Sequence, residues 1–163
     1  MDRIEYAKQK IREAIATSKV QEDPAHADNT LEWLIKFDPT ADPAMQVAAL
    51  AHDIDRAVEE RKTRRSDFDD YDIFKAAHAQ NGAKILREIL DDCQVAKLIA
   101  EEACRLVTLH EVGETLVPTC SRTLIVFPIL MSICLCITNV RAGMKRNVVV
   151  FGDIGGFLHE EKR

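Results

Sequence analysis

Up to Gly113 the apolar positions of this chain recur at helical spacing. Ile4, Ala7, Ile11 and Ala14 fall on one face of a first helix. Leu31, Leu34 and Ile35 belong to a second helix that begins near His26. Asp42-Pro43, a capping carboxylate followed by a first-turn proline, starts a third helix that runs through Asp53. The stretch from Glu59 to Asp70 is dense in charge and reads as an exposed loop or a frayed helix end. A fourth helix is expected over Asp72–Leu90, with Ala76, Ala77, Ala83, Ile85, Leu86 and Ile89 among its apolar residues. A fifth is expected over Val95–Leu109, with Leu98, Ile99, Ala103 and Leu106. Ala, Leu, Ile, Glu, Lys and Arg fill these stretches, all residues with good helix propensity or helical apolar roles. The expected fold class is all-α.

The pattern changes after Gly113. Between Glu114 and Val140 only Glu114 and Arg122 are charged, and the run from Leu124 to Ile137 shows neither a helical stripe nor strand alternation. Three readings compete. A tail anchor is one, since Arg141, Lys145 and Arg146 follow the run, although Pro128 and its short length count against a span. A buried hairpin is another, with Gly152, Gly155 and Gly156 near turns. The third is that the segment was never selected as part of the fold. The chain therefore divides into a helical domain over 1–113 and an atypical apolar tail over 114–163.

Composition narrows the class further. With 163 residues there is enough chain for one domain with a real core, and the net charge of −5 argues against a nucleic-acid scaffold. Cys93 and Cys104 are isolated, while Cys120, Cys134 and Cys136 lie in or near the apolar run, so no zinc spacing is present. An odd cysteine count and the charged, amphipathic Met1-Asp2-Arg3-Ile4-Glu5 start lead us to expect reduced thiols, no secretory signal and a cytoplasmic location. A membrane partner is not expected.

The candidate chemistry lies in Ala48-Ala49-Leu50-Ala51-His52-Asp53-Ile54-Asp55-Arg56. An imidazole beside a carboxylate among alanines and leucines is costly unless something compensates the charge, and a divalent metal is a common compensation. His26, His78 and His110 occupy similar helical surroundings, whereas His159 lies in the tail. Plainer readings exist for each residue alone. A single helical histidine is more often core or surface; Asp53 can cap a helix or pair with Arg56; Asp55 and Arg56 can form an ion pair that orients the turn. Arg64 and Arg65 fit a solvated surface best, and Glu111 fits either a ligand's hydrogen-bond partner or solvent.

Taken in order, Ala25-His26-Ala27, the His52-Asp53 segment, Lys75-Ala76-Ala77-His78 and Leu109-His110-Glu111-Val112-Gly113 resemble the HD-domain metal-dependent phosphohydrolases, over roughly Tyr6 to Gly113. The resemblance implies an HD-type helical bundle in which His26, His52 and Asp53 hold one divalent ion together with a distant last aspartate. It also implies that His78 and His110 can hold a second ion bridged by Asp53. Asp53 is thus the central catalytic candidate, and Arg56 and Lys75 are candidates for gripping substrate phosphate. Imidazoles with a carboxylate suit Mn, Fe, Co, Ni or Zn, one or two ions, better than Mg. The implied activity is attack of metal-activated water on a nucleotide or other small phosphate ester. Two alternatives remain open: an HD-type di-iron oxygenase, and a non-catalytic helical module that serves as a regulatory or partner-binding surface.

The last aspartate is missing. No acidic residue occurs between Glu114 and Asp153, and Asp153 sits among glycines rather than in a helix-forming stretch. Read one base back, however, the codons of Gly113 through Val126 permit Gly-Asp-Pro-Gly-Ser-Asp-Leu-Leu-Lys-Asp-Ala-Asp-Ser. This output is more charged and contains an Asp-Ala-Asp string resembling the family's last ligand motif. Further on, the codons of Asn147 through Gly155 permit Arg-Arg-Cys-Leu-Trp-Gly-Tyr-Arg. The expectation is that one base lost near the Gly113 codon replaced the natural C-terminal region.

Overall fold

The computed structural model describes residues 2–111. The apolar run from Leu124 to Ile137, Asp153, His159 and every expectation for 114–163 lie outside the described residues.

The regular elements described are all helical, in the order α1 (Arg3–Ile15), α2 (Asp23–Phe37), α3 (Pro43–Ala51), α4 (Tyr71–Asp92) and α5 (Lys97–Leu109). The fold is all-α, as the apolar periodicity predicts. The helix starts follow from local chemistry. The Asp2 carboxylate accepts from the Ile4 N–H at 3.0 Å, Asp42 accepts from Met45 at 3.0 Å, and Asp70 accepts from both Asp72 and Ile73. Each satisfies donors that a helix N-terminus leaves without an intrahelical partner.

α3 is the centre of the packing. Ala44, Met45, Val47, Ala48, Ala49, Leu50 and Ala51 are all buried and Gln46 is its one polar side chain, so α3 is apolar around most of its circumference, as a core helix is. α1, α2 and α5 pack against it, and α4 packs on α5. From α1 come Ala7, Ile11 and Ile15, from α2 Leu31 and Leu34, from α4 Leu86 and Leu90, and from α5 Ala100, Ala103, Leu106 and Val107. Two apolar residues of the sequence pattern stay outside this core. Ile35 is 42 % exposed and Leu98 80 % exposed, because the helical rotation carries each off its buried face.

One boundary differs from expectation in a way that shapes the site. α3 stops at Ala51 instead of running through Asp53; Asp53 adopts φ −104° and ψ 17°, and a 3-10 turn follows over Ile54–Arg56. This turn buries Ile54 and Asp55 and leaves Arg56 half-exposed. Glu59 to Asp70 holds only a short 3-10 turn at Arg65–Asp67, in keeping with the loop expected there.

α4 passes over the turn after α3 at Gly82. A methyl group there would stand 3.6 Å from Val107 Cγ1 and 3.8 Å from Asp55 Cβ, both ordinary contacts. Gly82→Ala is therefore expected to raise stability by about 0.5–1 kcal/mol through reduced freedom of the unfolded chain. Thermal unfolding measures it; a lower midpoint would show that the crossing has no room for a side chain.

No helix among the described residues is long and apolar enough to cross a membrane.

Candidate metal centre

Four histidines and one aspartate converge where helix ends meet. His26 lies in the first turn of α2, His52 follows the last residue of α3, His78 sits on α4, and His110 follows the last residue of α5. The C-terminal ends of α3 and α5 thus both face the cluster, and their carbonyl dipoles favour positive charge there.

Asp53 divides the cluster in two. Its Oδ2 is 3.6 Å from His26 Nε2 and 3.6 Å from His52 Nε2, and those two nitrogens are 3.0 Å apart. Its Oδ1 is 3.1 Å from His78 Nε2 and 3.9 Å from His110 Nε2. His26, His52 and Asp53 form one group able to hold a metal ion, and Asp53, His78 and His110 form another. All five residues picked from the sequence come together.

The imidazoles are also oriented for donation to a cation. His52 Nδ1 is 3.0 Å from the Ala49 carbonyl, and His110 Nδ1 is 2.6 Å from the Val107 carbonyl. A carbonyl only accepts, so each Nδ1 carries a proton, and Nε2 is the nitrogen of each ring left to offer a lone pair to the cluster. His110 Nε2 is buried and has no hydrogen-bond partner among the described residues. An orphaned buried nitrogen is costly unless something binds it. This lone pair, aimed at Asp53, is the feature that makes the donor set fit a metal ion.

The electrostatics agree. Burial pushes His52 down to about 4, outweighing the pull of Asp53, and so keeps it neutral. Burial alone would raise Asp53, yet the His78 hydrogen bond and the Arg56 guanidinium help hold it well below the usual carboxylate range. Burial would also lower His78, but hydrogen bonds to Asp53 and Asp55 override it and raise the ring to about 9. Without metal, His78 is thus an imidazolium between two carboxylates, and a divalent ion held on Nε2 would take the place of the proton there.

These shifts set a pH dependence for the metal-free protein. His78 has a folded pKa above its unfolded value of 6.5, so its contribution is complete below pH 6.5 and is lost as pH rises through 9. His52 has a folded pKa below its unfolded value, so stability falls as pH drops from 6.5 toward 4. Each is worth about 3 kcal/mol at its limit. Chelator-stripped protein is expected to unfold at the highest temperature near pH 6.5, and a flat profile between pH 4 and 9 would contradict the assignment.

The surrounding charges depart from expectation at one point. Asp55 does not pair with Arg56. Instead Asp55, only 1 % exposed, lies 2.8 Å from His78 Nδ1 and accepts from Thr63 N and Oγ1 and from Asn81 Nδ2. Arg56 donates from Nη1 to Asp53 Oδ2 at 2.9 Å and from Nη2 to buried Asp23 at 2.8 Å. The sequence reading did not single out Asp23, Thr63 or Asn81, and placed Asp55 with the wrong partner. No local spacing links Asp55 to a residue 23 positions later; only the break after α3 turns it toward α4.

Lys75 lies 3.0 Å from Asp72 and over the Tyr71 ring, one turn before His78. Glu111 places Oε1 3.6 Å from His110 Nε2. Arg64 and Arg65 are exposed, as the solvated reading of that stretch expects, with Arg65 donating to the Phe68 carbonyl.

The chain matches one family model, described as a domain of unknown function (DUF4202), over residues 3–115. No curated protein and no solved structure matches it. The matched residues include the whole His/Asp cluster and well over half of the 163-residue chain, so the chain belongs to the DUF4202 family.

Proposed function

We propose that residues 1–113 are an incomplete HD-type metal-dependent phosphohydrolase domain acting on a nucleotide or other small phosphate ester. The observation that carries this reading is the shared carboxylate: Asp53 turns one oxygen to His26 and His52 and the other to His78 and His110. His26, His52 and Asp53 would hold the principal ion, and Asp53, His78 and His110 the second. The nitrogen-rich donor set suits Mn, Fe, Co, Ni or Zn. A divalent ion held there supplies Lewis acidity toward a phosphoryl oxygen and brings the pKa of its water near neutral.

The chain's own residues supply position. Carbonyl acceptors fix the rings of His52 and His110, and Asp55 fixes that of His78. Arg56 links Asp53 to Asp23 and keeps a guanidinium that is 42 % exposed beside the cluster, where phosphate oxygens would meet it. Lys75, on the same face of α4 as His78, offers a second positive charge.

In this proposal the tail of 114–163 is a non-matching replacement for the natural C-terminal region, which deprives the principal site of its last aspartate. The family match ends at residue 115, close to where the sequence changes character, and supports that division. The test is phosphate release from nucleoside monophosphates and p-nitrophenyl phosphate by metal-loaded protein with the reading frame restored. Release that depends on a divalent ion is expected; none with any of the five metals would overturn the proposal. Iron-dependent oxygen consumption would favour the di-iron oxygenase alternative, which the same bridging carboxylate accommodates.

A further inference from the structure

Asp55 has no place in the ligand set, yet it is the more deeply buried of the two aspartates in the turn after α3, 1 % exposed against 20 % for the side chain of Asp53. Its surroundings hold it in one pose. Thr63 donates its backbone N–H and its hydroxyl to the carboxylate at 3.2 Å, and Asn81 donates its amide. Asn81 is itself anchored, donating also to the Arg61 carbonyl at 2.8 Å. The remaining direction of the carboxylate is taken by His78 Nδ1, at 2.8 Å.

His78 differs in this from its neighbours. His52 and His110 each rest Nδ1 on a carbonyl three residues back in their own helix, a contact that a helix end offers by itself. His78 sits in mid-helix, where every nearby carbonyl is already bonded within the helix, so its orientation must come from another element. Asp55 supplies it across the α4 crossing. With Nδ1–H donated to Asp55, Nε2 is the nitrogen turned to Asp53 Oδ1, at 3.1 Å, and the one whose lone pair a metal ion would take in place of a proton. Carboxylate backing of a histidine fixes the tautomer and raises the basicity of the other nitrogen.

We propose that Asp55 is a positioning residue for the second metal group, setting the tautomer and basicity of His78 while leaving the His26–His52 group untouched. The inference rests on the metal-site reading of His78. Two measurements on the full chain test it. The first is Co(II) titration, followed by absorption, of wild-type protein and of Asp55→Asn and Thr63→Val variants. Asp55→Asn is expected to weaken one of two binding steps about 10–100-fold and to leave the other nearly unchanged. Thr63→Val loosens the same loop but keeps the Asp55–His78 contact, so both steps should survive. Equal binding by Asp55→Asn and wild type overturns the role, and loss of the same step in Thr63→Val overturns it in favour of a merely structural one.

The second needs no variant. In Zn(II)-loaded wild-type protein, nitrogen-15 NMR should show His78 bound through Nε2 with Nδ1 protonated. Binding through Nδ1 overturns the proposal and leaves the metal centre standing. Absence of metal-shifted resonances from all four cluster histidines overturns the metal centre itself, and the role of Asp55 with it.

Discussion

Asp53→Asn is expected to remove divalent-metal binding at both groups at once, whereas His26→Ala or His78→Ala should each impair mainly one. The reason is geometric. Asp53 Oδ2 serves the His26–His52 side and Oδ1 serves the His78–His110 side, so a single side chain is common to both. An amide keeps the shape but loses the charge and one acceptor oxygen. Even residues that only orient a metal ligand change affinity about 10–100-fold, so the loss of a shared ligand should exceed about 100-fold at each site. The same change should destabilise the metal-free protein by about 3 kcal/mol, because buried His78 loses one of the two carboxylates that compensate it. Calorimetric metal titration and chemical denaturation measure the two effects. If Asp53→Asn kept one site intact, the bridging arrangement would be wrong.

Restoring the reading frame after Gly113 is expected to raise both metal retention and phosphate-ester turnover by a large factor. As written, the chain carries no acidic residue between Glu114 and Asp153, and among the described residues the proposed principal group has the donors His26, His52 and Asp53. The codons permit Asp-Ala-Asp in the alternative frame, the string that the proposed HD-type site lacks. Losing an interaction that acts together with the rest of a metal centre commonly removes most of its catalysis, because such residues act as a unit. The nucleotide sequence across the Gly113 codon settles the premise. If the coding bases do not permit the alternative reading, the frame explanation fails. If they do, and both versions hydrolyse equally, the missing aspartate has no functional weight.

Much of this arrangement is legible in residue types and spacing. Asp42-Pro43 announces the start of α3, and α3 indeed begins at Pro43. Apolar periodicity places α1 through Ala7 and Ile11 and places α5 through Ala103 and Leu106. The His52-Asp53 pair stands out because an imidazole beside a carboxylate in apolar surroundings needs compensation, and the resemblance to the HD-domain pattern joins His26, His78 and His110 to it.

What could not be read has physical causes. Periodicity tells which residues share a face but not whether another helix covers it, so Leu98 looks like core and lies exposed. Helical propensity runs straight past His52, whereas the chain breaks after Ala51 because Asp53 takes a non-helical conformation that serves the cluster. That break alone redirects Asp55 from its sequence neighbour Arg56 to His78, and frees Arg56 to bridge Asp53 and Asp23. Such pairings depend on how α4 crosses the turn, which no local pattern encodes.

The central claim is that the His/Asp cluster is a metal centre, and titration of the chelator-stripped full chain with Zn(II), followed by NMR of the histidine side chains, tests it most directly. The predicted result is saturable change at His26, His52, His78 and His110, with His159 unaffected, and loss of that change in Asp53→Asn. A titration that leaves the four cluster histidines unmoved would contradict it.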